Sequence, residues 1–148
     1  MAIESINASG WFLPPMIIFA GKVHQSTWYQ DIPSDWVIGV SNNGWTNDDL
    51  GSKWLQEVFE KHTAPRTIGT YHLLILDSHG SHATAEFDYF CKNHQIIPLY
   101  MPSNSSHCLQ PLDVSCFAPL KQVYGQQVQT SMQLGINHID KQSFLTLY

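Results

Sequence analysis

The stretch that most constrains this chain is Tyr71-His72-Leu73-Leu74-Ile75-Leu76-Asp77-Ser78-His79-Gly80-Ser81-His82. An apolar run of this length, ended by a carboxylate and then by Ser and Gly, reads as a buried β-strand. Apolar residues follow one another without alternation, so both faces are expected to be covered, as in an interior strand of a parallel or mixed sheet. In open α/β sheets ligands bind just beyond the carboxyl ends of strands, and Asp77 stands at such a position. A second acidic residue, Asp113, comes in Ser105-Ser106-His107-Cys108-Leu109-Gln110-Pro111-Leu112-Asp113, with 35 residues between the two.

The rest of the chain supplies partners for that strand. Met1–Gly10 reads as a strand closed by the turn Asn7-Ala8-Ser9-Gly10, with Trp11–Ala20 as its hairpin partner. Pro14-Pro15 cannot donate to a ladder, which predicts an edge position for that partner. Residues 21–35 read as irregular, with Trp28 and Tyr29 as packing anchors. Trp36–Val40 is a short strand, and Asn42-Asn43-Gly44 a turn. Thr46 or Asn47 caps a helix whose first turn carries Asp48 and Asp49 and whose apolar stripe is Leu50, Trp54, Leu55, Val58 and Phe59. This helix is expected to stop near His62, before Pro65.

A second helix opens at Ser81 or Thr84 and buries Phe87, Phe90 and Cys91. Ile96–Tyr100 is a strand that Pro98 assigns to an edge, and Met101–Pro111 a polar loop. A short helical turn is expected near Asp113. A longer helix runs from about Pro119 to Gln133, with Phe117, Leu120, Val123, Tyr124 and Val128 on its apolar side. Gly135-Ile136-Asn137 breaks it, and a last helix starts at Asp140. An antiparallel hairpin followed by βαβ units predicts an α/β fold, a mixed sheet flanked by helices.

Composition excludes several classes. A chain of 148 residues, 43% hydrophobic and 12% aromatic, is long and apolar enough to bury one domain's core and is no disordered tail. Cys91, Cys108 and Cys116 are an odd number without framework spacing, which points to a reducing compartment. Residues 11–20 are too few to span a bilayer and contain Pro14-Pro15, so no membrane association is expected. The formal net charge of −5, with seven Lys and Arg, is a poor electrostatic footprint for free-standing DNA binding.

Two segments carry a family resemblance. Leu73-Leu74-Ile75-Leu76-Asp77-Ser78-His79-Gly80-Ser81-His82, followed by Leu109-Gln110-Pro111-Leu112-Asp113-Val114, resembles the catalytic domain of DDE superfamily transposases. The resembled branch is pogo/Tigger, with its centromere protein B-like and Jerky-like relatives. The likeness extends to residues 2–10 and 14–19 and so covers most of the chain. It implies a ribonuclease-H-like fold in which the first, central strand carries the first catalytic Asp. Met1 falls where the second strand of that fold begins. The expectation is therefore a partial catalytic domain over residues 1–148, without its first strand, its first carboxylate and part of its C-terminal helices.

The resemblance further implies a nuclear DNA endonuclease or transposase that uses Mg²⁺ or Mn²⁺, with DNA as partner and metal-dependent strand cleavage and transfer. Asp77 would be the second metal-binding carboxylate and Asp113 the third. His79, His82, His107 and Gln110 are candidate cleft residues. A homo-oligomer or a strand-supplying partner is a further expectation, since a vacant central slot leaves strand edges unpaired.

Each assignment has a plainer counterpart. Asp77 is also a strand-end residue able to cap the next turn, and Asp113 an ordinary helix-start residue. His79, His82, His107 and Cys108 would suit a zinc-dependent hydrolase, but a His-x-x-His pair with distant partners is a weak zinc signature. His79 and His82 are equally readable as solvent-facing turn residues. The isolated chain is expected to be inactive, and a domesticated, non-catalytic DNA- or protein-binding derivative is the alternative to a transposase fragment.

Overall fold

The computed structural model describes residues 1–24, 32–77, 84–136 and 138–147. Asn7 organises the first turn: its Oδ1 accepts from the backbone N–H groups of Ser9 at 3.0 Å and Trp11 at 2.9 Å. The turn brings β1 (Ala2–Ile3) antiparallel to β2 (Met16–Ala20), with Ala2 opposite Ile17. β2 is not at an edge, as its prolines had predicted. It is the middle strand of the order β1-β2-β3, because Pro14 and Pro15 precede its first residue and withhold no ladder N–H. Pro15 instead contributes its carbonyl, which accepts from the Val37 N–H at 3.2 Å.

β3 (Val37–Ser41) runs parallel to β2. Gly44 closes the turn after it at φ +77°, where a Cβ would also come within 3.1 Å of the Ala20 backbone nitrogen. Asn47 then caps α1 (Asp48–Trp54), its Oδ1 accepting from the Leu50 N–H at 2.9 Å. It continues as a π-helical segment Leu55–Glu60 and the short α2 (Lys61–Thr63). The α-helical stretch ends at Thr63, near His62 and before Pro65 as expected, and a single 3₁₀ turn, Ala64–Arg66, follows it. Pro65 lies in the first turn of that last segment, where a missing N–H costs little.

β4 (His72–Leu76) and β5 (Ile96–Tyr100) form a second, parallel sheet joined through α3 (Ala85–Asn93). Thr84 caps α3 by accepting from the Phe87 N–H at 3.1 Å. The inner faces of both sheets pack on one helical layer. Met16 and Ile18 of β2, Leu74 and Leu76 of β4 and Ile96 of β5 share a core with Leu50, Trp54, Leu55, Val58, Phe59, Phe87 and Cys91. A smaller cluster on the other side of the first sheet joins Ile17 and Phe19 to Leu145.

The C-terminal part holds α4 (Ser106–Leu109), a π-helical turn Leu112–Cys116, α5 (Phe117–Gln133) and α6 (Lys141–Leu147). α4 replaces part of the expected loop. Asp140 caps α6, its Oδ1 accepting from the Ser143 N–H at 2.7 Å. Trp28, Tyr29 and Asn137 lie outside the described residues.

The architecture is the expected α/β one, a mixed set of strands flanked by helices in ribonuclease-H-like fashion. Among the described residues no strand pairs with the second edge of β1 or of β4. The expectation that β4 is covered on both faces does not hold. Leu74 and Leu76 are buried, whereas Leu73 and Ile75, on the opposite face, are exposed. Continuous apolarity therefore marks a two-sided strand here without marking two covered sides.

Candidate active site at the carboxyl ends of β4 and β5

Parallel pairing sets the geometry. Leu76 lies opposite Tyr100, so β4 and β5 end at the same side of their sheet. The Met101 N–H donates to the Leu76 carbonyl at 2.9 Å and holds the two exits together. Asp77 leaves from one exit and is half-buried. The other exit leads through α4 to the π-helical turn that carries Asp113, which is exposed. A π turn is rare and recurs at functional sites, because its extra residue displaces side chains from the regular helical positions. Gln110 is half-buried just before this turn, and its carbonyl accepts from the Val114 N–H at 3.0 Å.

His79 and His82 lie outside the described residues, as does the side chain of His107, whose backbone belongs to α4. Among the described residues no three His, Cys, Asp or Glu side chains come together as a metal-binding group. What Asp77 and Asp113 offer is oxygen donors, and carboxylate oxygens suit Mg²⁺ and Mn²⁺ better than softer ions.

A contact that sequence reasoning missed braces this end of the sheet. The Tyr100 hydroxyl donates to Asp88 Oδ1 at 3.0 Å and ties β5 to α3. Burial first, and then the hydrogen bond to Asp88 and its charge, hold the phenol well above the usual tyrosine range. The partners stand twelve positions apart, on a strand and a helix, with no local spacing to announce them. A cavity of about 310 Å³ lies between α1 and α3, lined by Asp49, Ser52, Leu55, Gln56, Glu86, Phe87 and Phe90. It includes neither Asp77 nor Asp113, so the strand-end position and not this hollow is the candidate site.

The whole chain, residues 1–148, matches the DDE superfamily endonuclease family. The chain belongs to that family. Among curated proteins, this DDE domain is 46% identical over 147 residues to a Cochliobolus lunatus protein named MFS-type transporter clz9, covering 99% of the chain and 16% of the relative. It is 28% identical over 113 residues to the human pogo transposable element with ZNF domain, covering 76% of the chain and 8% of the relative. It is 31% identical over 121 residues to the mouse pogo transposable element with KRAB domain, covering 80% and 19%. The DDE domain thus spans less than a fifth of each of these relatives. No solved structure matches. No helix among its described residues is long and apolar enough to cross a membrane.

Proposed function

We propose that this chain is part of a transposon-derived DDE endonuclease domain of the pogo/Tigger branch, acting on DNA in the nucleus. Asp77 and Asp113 are its two metal-binding carboxylates. The observation that carries this reading is the shared exit of β4 and β5: Asp77 follows one strand directly, and the other leads to the π turn of Asp113. The likeness to two pogo transposable elements supports the branch. The transporter name of the fungal relative carries no reading of this chain, since the match covers 16% of that protein.

A bound Mg²⁺ or Mn²⁺ would stabilise charge on phosphodiester oxygens and make a hydroxyl more acidic. Asp77, half-buried at a strand end, offers the fixed ligand, and Asp113 the more accessible one. His79, His82, His107 and Gln110 would line the cleft and contact phosphate. With these two carboxylates alone the isolated chain binds metal weakly and does not cut DNA, because in-line displacement needs both flanking oxygens positioned. It also self-associates as a homo-oligomer or accepts a strand from a partner, since among the described residues no strand pairs with the second edge of β1 or of β4.

The net charge of −5 favours a second reading, a domesticated derivative that binds a protein or, through added basic segments, DNA without cleaving it. Mn²⁺ titration separates the two. Paramagnetic broadening of amide signals is expected around Asp77 and Asp113 together, and is to weaken at both positions in Asp77→Asn. Broadening spread over unrelated surface carboxylates would leave the non-catalytic reading standing. Plasmid nicking by the isolated chain in Mn²⁺, lost in Asp77→Asn, would show that two carboxylates suffice.

A further inference from the structure

The hollow of about 310 Å³ between α1 and α3 plays no part in the metal reading, yet its lining is sorted by chemistry. The floor is apolar: Leu55 and Phe87 are fully buried and Phe90 is half-buried. The rim is polar and comes from both helices. Asp49, Ser52 and Gln56 are three and four positions apart and share one helix face, and Glu86 belongs to α3. Two carboxylates thus line one small space. Among the described residues neither Asp49 nor Glu86 has an ion pair or a side-chain hydrogen bond. Lys53 of α1 pairs with Glu57 at 3.8 Å, and Lys92 of α3 lies in that helix's last turn, at the far end from Glu86. First-turn carboxylates stabilise a helix, but each helix has another one, Asp48 in α1 and Asp88 in α3. Helix ends alone therefore do not account for a paired anionic rim.

An anionic rim over an apolar floor repels phosphate and selects a cation carried on an apolar stem. We propose that the hollow takes the side chain of an arginine from an extended basic segment of a partner protein. Lysine offers a stem and a charge, but its ammonium is a point charge. A guanidinium is planar, carries five donors able to bridge two carboxylates and the Gln56 carbonyl, and lies flat on an aromatic ring such as that of Phe90.

Size decides between a side chain and a larger guest. The hollow has the volume of about ten waters at ~30 Å³ each, enough for one long side chain and the backbone that carries it. A helix, about 10 Å across, does not enter a space of that size. The chain's net charge of −5 adds a long-range attraction for a basic segment.

This inference goes beyond the reading above and uses none of its metal or DNA chemistry, so the test is run in EDTA without DNA. The probe is the capped tripeptide acetyl-Gly-Arg-Gly-amide, titrated into the 148-residue chain and followed by amide NMR. It is expected to shift the signals of Ser52, Gln56, Glu86 and Phe90 together, with a Kd on the order of 1 mM. The lysine tripeptide binds at least threefold more weakly, and the glutamine tripeptide shifts nothing. Glu86→Gln and Asp49→Asn each weaken the arginine peptide at least fivefold. Glu57→Gln, which removes the same charge from a residue off the hollow, leaves it unchanged. All three side chains are exposed, so the melting temperatures are expected to stay within a few degrees of wild type. Should Glu86→Gln melt lower than that, Asp49→Asn on the other helix decides. No shift at about 10 mM arginine peptide overturns the proposal, as does equal weakening by Glu57→Gln, which would make binding a property of the whole surface charge. Equal binding of the glutamine peptide overturns the cation, and equal binding of the lysine peptide overturns arginine as the occupant.

Discussion

The end of β4 at Leu76, just before Asp77, is where sequence and structure agree most closely at the scale of single residues, because a strand's end is announced locally by the residues that stop it. The position of Asp113 on a π turn carries no such signal, since no residue type specifies the extra residue in a turn. The cysteines show the same contrast. Cys91 was legible as core from its helical spacing to Phe87, and it is buried, whereas Cys108 and Cys116 are exposed. Burial, reinforced by the nearby Asp88 charge, pushes the Cys91 thiol up to about 11. Brief treatment of the folded protein with iodoacetamide at pH 8 is expected to alkylate Cys108 and Cys116 and spare Cys91, as read by peptide mass spectrometry. Modification of all three at equal rates would place Cys91 at the surface. Cys91 and Tyr100 both ionise less readily folded than unfolded. The Cys91 contribution to stability is therefore complete below the unfolded thiol's range near pH 9 and is lost as pH rises toward 11, while that of Tyr100 begins to be lost only above the unfolded phenol's range near pH 10. The urea midpoint should fall between pH 8 and pH 10.5, and should fall less in Tyr100→Phe.

At the scale of elements, caps and turns were the readable features because each is decided within four or five residues. Asn47 and Thr84 each accept the backbone N–H three positions on, at 2.9 and 3.1 Å. Asn47→Ala and Thr84→Ala are each expected to cost about 1 kcal/mol in chemical denaturation, with Asn47→Asp close to neutral. A loss well below that in Asn47→Ala would mean that the acidic first turn, Asp48 and Asp49, suffices to start the helix. Rules that depend on what a strand will lie beside fared worse. Proline was a correct edge marker at Pro98 and a misleading one at Pro14-Pro15. In a parallel ladder alternate residues bond to opposite neighbours, and Pro98 is out of phase with those that bond β4. Pro14 and Pro15 precede the ladder altogether. The difference is one of phase and register, which sequence leaves open until the partner strand is known.

At the scale of the whole molecule, two sheets share one helical layer and are not joined to each other by a described ladder. The phase of the β4–β5 pairing says what that leaves open. The His72 N–H donates to the Gln95 carbonyl and the Leu76 carbonyl accepts from Met101, both at 2.9 Å. His72, Leu74 and Leu76 therefore spend their backbone groups on β5, and those of Leu73 and Ile75 point toward the opposite edge. A buried unpaired amide costs about 1–3 kcal/mol, so an edge of this kind is tolerable only if water or another strand reaches it. Hydrogen exchange measured residue by residue distinguishes the two. With water at the edge, the Leu74 and Leu76 amides exchange slowly while Leu73 and Ile75 exchange orders of magnitude faster, although all four belong to one strand. Equal protection of Leu73 and Ile75 would instead reveal a strand seated beside β4, which would make the sheet continuous. Such protection, appearing only when an extended apolar peptide is added, would identify that edge as the place where a partner strand completes the fold.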